Sequence, residues 1–274
     1  MFADILFNAE RFLGGNRYFR GNRFFRENQN YFNSAYFKNF HDLRPSVKHH
    51  LSKVYATLTC MLAASSVGIW LSMTDQYYPG PFLSFVLTFG SICGLFFTYD
   101  YPDSSSLRQG LLLTFCLCQG FSLSPLIDHA VDVDPSIILM ASVSTFLVFA
   151  SFTLCSLFSK RRSHLYLGSI LGSATFVLFG SSVLNSYFHF SGLYMLELYG
   201  GLIIFCLYVL YDTQKIIEEA NRGNKKVINQ ALALFIDVVA IFVRIVRILI
   251  NNHYENERKK ARKERRQNGS YSAY

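Results

Sequence analysis

Two carboxylates stand in apolar surroundings late in the chain. Asp212 lies in Leu210-Tyr211-Asp212-Thr213-Gln214, and Asp237 lies in Leu234-Phe235-Ile236-Asp237-Val238-Val239. A charged side chain at the centre of a spanning helix costs about 2.5–3.5 kcal/mol on the insertion scale, so such residues are rare and either paired or functional. The same rarity singles out Glu197, Arg244 and Arg247. Two carboxyl groups in one poorly solvated site cannot both ionise cheaply, so they titrate as a unit. Such a pair binds protons in one state and hard cations such as calcium in the other. The plainer alternative is neutralisation: Asp237 and Arg244, seven residues apart, share a helix face.

For these carboxylates to meet, the segments carrying them must be adjacent and antiparallel, and the rest of the sequence provides such a frame. Of the 274 residues, 51% are hydrophobic, 16% aromatic and 16% charged, against roughly 25% charged in a typical soluble domain. A water-soluble globule is excluded. Spanning helices need about 20 mostly apolar residues, and suitable runs fall at roughly 54–73, 81–99, 109–127, 136–158, 165–184, 193–211 and 228–250. Pro79, Pro81, Pro102 and Pro135 lie in or beside the connections, where a proline costs least. The expected fold is an all-α integral membrane protein, a bundle of seven hydrophobic helices. The seventh is central and either crosses fully or dips and returns. Asp237, nine residues past Ile228, falls about 13–14 Å along that helix, near the middle of a hydrocarbon slab about 30 Å thick.

The basic residues set the orientation. Nine of the 26 precede residue 54, and the 159–164 and 212–227 connections add three and four. The 74–80, 128–135 and 185–192 connections have none, and the second of these carries three aspartates, Asp128, Asp132 and Asp134. The alternation puts the N-terminus in the cytoplasm. Residues 1–52 read as a basic, aromatic cytoplasmic tail, 53–251 as the transmembrane bundle and 252–274 as a basic C-terminal tail. The block Arg258-Lys259-Lys260-Ala261-Arg262-Lys263-Glu264-Arg265-Arg266 leaves the far side of the seventh run ambiguous, and the sequon at Asn268-Gly269-Ser270 would report lumenal exposure.

The tails offer less chemistry. A tandem, Gly15-Asn16-Arg17-Tyr18-Phe19-Arg20 and Gly21-Asn22-Arg23-Phe24-Phe25-Arg26, reads first as part of a solvated cytoplasmic tail, next as a contact for an anionic lipid surface and last as a nucleic-acid site. All six cysteines lie in apolar runs and read as small hydrophobes rather than bridges. Cys116-x-Cys118 lacks the second ligand pair of a zinc site. A zinc-dependent membrane hydrolase would need several histidines to converge, yet His41, His49, His50, His129, His164, His189 and His253 divide between both sides and the tails. The basic N-terminus also opposes the orientation of a seven-helix receptor.

The stretch Tyr208-Val209-Leu210-Tyr211-Asp212-Thr213-Gln214-Lys215-Ile216-Ile217-Glu218, followed by Ala233-Leu234-Phe235-Ile236-Asp237-Val238-Val239, resembles the end of the Bax inhibitor family, the transmembrane proteins with the Bax-inhibitor motif. Val47-Lys48-His49-His50-Leu51-Ser52-Lys53-Val54-Tyr55-Ala56, a turn at Ser124-Pro125-Leu126 and Arg161-Arg162-Ser163-His164-Leu165-Tyr166-Leu167-Gly168 are similar in order and spacing, over about residues 45–258. The resemblance implies a multi-pass bundle of the endoplasmic reticulum membrane that leaks calcium from the store in a pH-dependent way and restrains apoptosis. It implies no enzyme activity and no cofactor, with calcium as the transported ion. The family's paired aspartate sensor falls on Asp212 and Asp237. Glu197 resembles an acidic position of the plant members and, with Arg244 and Arg247, is a candidate pathway or charge partner. The expected partners are the bilayer and, through the tails, apoptosis regulators and anionic lipid; no nucleic acid is expected. A non-conducting scaffold and a cation/proton exchanger share the same fold. The second run lacks the latching arginine of bacterial members, and Ala233 stands where some animal members have another aspartate.

Overall fold

The computed structural model describes residues 45–74, 80–99, 102–103, 105–158, 164–188, 190–224 and 226–271. The tandem at 15–26, Pro79 and the basic residues Lys160, Arg161 and Arg162 lie outside the described residues. Seven helical segments follow in order: α1 (Pro45–Met73), α2 (Pro81–Phe97), α3 (Ser106–Val133), α4 (Ser136–Phe158) and α5 (His164–Phe188), then α6 and α7. α6 starts as Ser191–Met195, passes through a π-helical turn at Leu196–Gly200 and continues as Gly201–Asn221; α7 is Val227–Tyr271. Five of these, α1 and α3 to α6, are long and apolar enough to cross a membrane, and α2 contributes a shorter apolar stretch at Phe82–Phe97. This is a multi-pass membrane protein. Its outward surface carries Phe82, Phe97, Phe146 and Phe176, the inverse of a soluble fold.

α7 is central. It packs against α1, α3, α4 and α6 and supplies both core clusters. One joins Val54 and Leu58 of α1 with Phe115 of α3 and Phe235 of α7; the other joins Ile137 of α4 with Val209 of α6 and Ile241 and Val246 of α7. The Phe115 and Phe235 rings meet edge to face, centroids 5.6 Å apart. α1 and α3 cross with backbones in contact. A Cβ on Gly68 would sit 2.5 Å from the Leu117 carbonyl oxygen, and one on Gly120 would sit 2.2 Å from that of Ser65. The Ser65 hydroxyl donates to the Cys116 carbonyl across this crossing at 3.0 Å. Small residues serve membrane helices in this way because close approach supplies van der Waals contact that lipid cannot.

One open alternative is resolved and two expectations are corrected. α7 does not dip and return: it is one uninterrupted helix. Its first turn lies beside the α2–α3 connection, where the Ile228 amide donates to Asp103 Oδ2 at 3.3 Å. Tyr254 lies beside His129 near the end of α3, ring centroids 6.4 Å apart. The helix therefore runs from one end of the bundle to the other, and its basic continuation projects past that far end. There Glu257 accepts from Lys260 at 2.9 Å, which holds its carboxyl below the ordinary range. Second, Ser124-Pro125-Leu126 is not a turn. Pro125 lies inside α3; in apolar packing, neighbouring helices and hydroxyls compensate the backbone bond that proline cannot make. Third, Asp128 and Asp132 sit on the last turns of α3 rather than in a connection, leaving Asp134 as the capping residue. Its Oδ1 accepts from the Ser136 amide at 2.9 Å and hydroxyl at 2.7 Å, starting α4 and holding the Asp134 carboxyl below its usual range. All six cysteines are free; Cys116, Cys118 and Cys206 are buried, whereas Cys60 and Cys155 face outward.

Candidate functional site: a carboxyl pair at the floor of a vestibule

α6 ends at a left-handed glycine, Gly223 with φ +89°, where the Gly223 amide returns to the Ala220 carbonyl and the Asn224 amide to that of Glu219. This cap turns the chain sharply, so α7 descends antiparallel to α6. Asp212 lies ten residues before Arg222 and Asp237 ten residues after Val227. At 1.5 Å per residue both stand about 15 Å below the turn. Their carboxyl groups are close neighbours that interact directly. Asp237 is 3% exposed and its Oδ2 has no partner. Carboxylates only accept, so a hydrogen bond between the two forms only when one of them holds a proton.

Close packing holds Asp212 in place. Neighbouring Thr213 is fully buried. Gln214 Nε2 donates to the Ser156 carbonyl at 3.4 Å, and the Ser156 hydroxyl donates to that of Leu210 at 2.9 Å, tying α6 to α4. On the α5 side, a Cβ at Gly168 would come within 2.8 Å of the Tyr211 ring, so only glycine admits that ring beside the pair.

Above the pair is an open vestibule of about 290 Å³, reached by Asp212, Lys215 and Glu219 of α6 and by Asn229 and Gln230 of α7. A buried relay stiffens its wall: His50 Nε2 lies 2.6 Å from Gln230 Oε1, and Gln230 Nε2 donates to Glu219 at 2.8 Å. Since Gln230 Oε1 only accepts, His50 carries its proton on Nε2. The rim is clamped by Arg108, which is fully buried and pairs with Asp103 at 3.1 Å. Arg108 also donates to the Tyr99 carbonyl at 3.3 Å and to Asn229 Oδ1. Lys226 donates to the same carbonyl and covers the Tyr99 ring. These contacts fasten the α2–α3 connection to the start of α7. Sequence reasoning missed both His50 and Arg108; the signal for the second was a single basic residue in the otherwise uncharged opening of α3.

The remaining candidates gather elsewhere. Arg244 is not the partner of Asp237. Two helical turns place it about 10 Å further along α7, beyond the reach of i+3 and i+4 contacts. Its guanidinium donates to the Ala240 carbonyl at 3.0 Å and lies over the Phe205 ring, 4.4 Å from the centroid. Gly201 makes room for it, since a Cβ there would fall 2.3 Å from Arg244 Nε. Glu197, in the π-helical turn, is the acidic group facing Arg244 and accepts from the Ser182 hydroxyl at 3.0 Å. Arg247 points to a separate recess with His129, Tyr194 and Tyr254. Among the described residues no three His, Cys, Asp or Glu side chains are placed to hold a metal ion.

Residues 47–253 match the family model described as inhibitor of apoptosis-promoting Bax1. The chain is 42% identical over 229 residues to Bax inhibitor 1 of Oryza sativa, covering 83% of this chain and 90% of that protein. It is 38% identical over 221 residues to Bax inhibitor 1 of Arabidopsis thaliana, covering 80% and 88%. The corresponding human protein is 34% identical over 224 residues, covering 82% and 94%. With the match running from the first turn of α1 to residue 253 of α7 and both carboxylates inside it, the chain belongs to the Bax inhibitor family.

Proposed function

We propose that this member of the family restrains apoptosis as a pH-sensitive calcium leak of the endoplasmic reticulum membrane, with its N-terminus and vestibule on the cytoplasmic side. The observation that carries the reading is the close approach of Asp212 and Asp237 at equal depth on antiparallel helices, with Asp212 lining an open vestibule. With one proton the pair is held together and plugs the path. Loss of that proton sets two negative charges side by side, which repel and attract a hard cation in its place. Lys215 and Glu219 of α6 and Lys226 at the start of α7 face the same vestibule and modulate the balance. The protein acts as a conduit and carries out no bond chemistry in this reading.

Reconstitution in liposomes with a calcium-sensitive dye tests it, by flux measured between about pH 6 and 8, the window in which a coupled carboxyl pair can respond. The wild type is expected to leak with a clear pH profile, and Asp237→Asn is expected to flatten it. Indistinguishable profiles would refute the pair as sensor. A tail-mediated scaffold is the second reading, favoured by the exposed basic segment of α7 around Arg258, Lys259 and Arg262, which suits acidic partners or anionic lipid. Removal of residues 255–274 leaves flux intact if the bundle conducts, and abolishes activity in cells only if the tail is the working part.

A further inference from the structure

At Thr213, the residue after Asp212, lies a second group of oxygens with unspent hydrogen-bonding capacity. The Tyr55 hydroxyl of α1 stands next to the hydroxyls of Thr213 on α6 and Thr153 on α4. None of the three is in a well-aligned bond, and neither is Asp237 Oδ2. A buried polar atom left so costs about 1–3 kcal/mol, and three hydroxyls from three helices at one place suggest an occupant that brings its own charge or protons.

Tyr55 also forms one end of a cavity of about 710 Å³ between α1, α3, α4 and α7. Along α7 the vestibule takes residues 226–233 and the cavity takes 238–242, with Asp237 between them. On α1 the cavity extends from Tyr55 to Ile69, fourteen residues or about 21 Å, toward the end where α3 meets α4. Apart from Tyr55, its walls are apolar except for five hydroxyls. Thr59 donates to the Tyr55 carbonyl at 3.0 Å, Ser65 to Cys116 at 3.0 Å and Ser66 to Leu62 at 2.9 Å. Ser142 donates to Ile138 at 2.8 Å and Thr145 to Ala141 at 2.7 Å. Hydroxyls bonded back to their own helix, as four of these are, are ordinary in apolar helices; with Ser65, which bonds across to α3, five on one cavity wall have a joint effect. With each proton committed to a backbone carbonyl, only oxygen lone pairs remain to face the cavity. Such a lining tolerates a hard cation and offers an anion no donor.

We propose that a cation released from Asp212 and Asp237 passes the constriction formed by Tyr55, Thr153 and Thr213 and enters this hydroxyl-studded cavity, which is the second half of the route. The assignment rests on the leak reading and adds its path and its narrowest point. Calcium flux into liposomes is compared for wild type, Asp237→Asn, Tyr55→Ala, Ser142→Phe and Leu154→Phe. Tyr55→Ala, which empties the constriction, is expected to raise flux several-fold. Ser142→Phe, which puts a ring into the cavity from its exposed rim, is expected to lower it several-fold. Leu154→Phe, on the same helix but facing away, is expected to match wild type. Should Tyr55→Ala fold poorly, Ser142→Phe against Leu154→Phe still decides. If Asp237→Asn alters flux while Ser142→Phe and Tyr55→Ala behave as wild type, the route is overturned and the leak stands. If the wild type carries no calcium, the leak reading falls and the route falls with it.

Discussion

The crossing of α1 and α3 can be broken by a single methyl group. At Gly120 a Cβ would lie 2.2 Å from the Ser65 carbonyl oxygen and 3.0 Å from both Gly68 Cα and the Ile69 nitrogen. All three are backbone atoms on a helix that cannot yield locally, so Gly120→Ala must drive the helices apart by about 1 Å, from contact geometry alone. Overpacking costs about 1–3 kcal/mol, and the rigid partner places this case at the upper end. Separation also lengthens the 3.0 Å bond from Ser65 to Cys116, worth about 0.6–1.7 kcal/mol between membrane helices. Against this stands a helix-propensity gain of about 1 kcal/mol for alanine over glycine. The net loss is about 3 kcal/mol, which corresponds to a fall in Tm on the order of 5–10 °C for a chain of this size. Gly110→Ala on the same helix is the control, because a Cβ there meets nothing within 4 Å and only the propensity gain applies. Thermal unfolding of both variants in detergent decides the matter. Equal midpoints would refute the claim that backbone contact holds these helices together.

Removal of the Arg108 side chain leaves Asp103 and Asn229 without their cation, and Arg108→Ala is expected to cost about 3 kcal/mol in unfolding experiments, the scale for breaking a buried pair. Adding Asp103→Asn should recover part of the loss, and hydrogen exchange should rise first around the α2–α3 connection. Asp134 gives a pH prediction of definite sign. Its folded-state pKa is depressed by the Ser136 hydroxyl and amide, so its contribution to stability is present above the ordinary carboxylate value of about 3.9 and disappears as pH falls through the lower folded value. Asp134→Ala should therefore lower Tm at neutral pH, with the gap to wild type closing in acid.

Much of the bundle was legible in the sequence because hydrocarbon imposes a simple rule: long apolar runs must be helices, and carboxylates within them must find company. That rule located Asp212 and Asp237, and the short connection at Gly223 is enough to set them at matching depth. Other features depend on contacts between distant segments. Pro125 signals a break in water, yet α3 continues through it. A shared helix face suggested Arg244 for Asp237, but two turns are too far, and Phe205 from α6 takes the guanidinium instead. The link from His50 through Gln230 to Glu219 joins residues 180 positions apart, and no local pattern could announce it. The closure of α1 on α3 was hidden for the same reason, since glycine in an apolar run reads as filler until its opposite backbone is known.

The continuity of α7 has a mechanical meaning. Forty-five residues without interruption make a shaft about 67 Å long at the helical rise, fixed at its head by the Arg108 clamp and free at its foot. Asp237 is mounted on that shaft. Any grip on the projecting foot that twists or draws it is transmitted along the helix to the carboxyl, and under the proposed reading the tail and the closed pair would be parts of one lever.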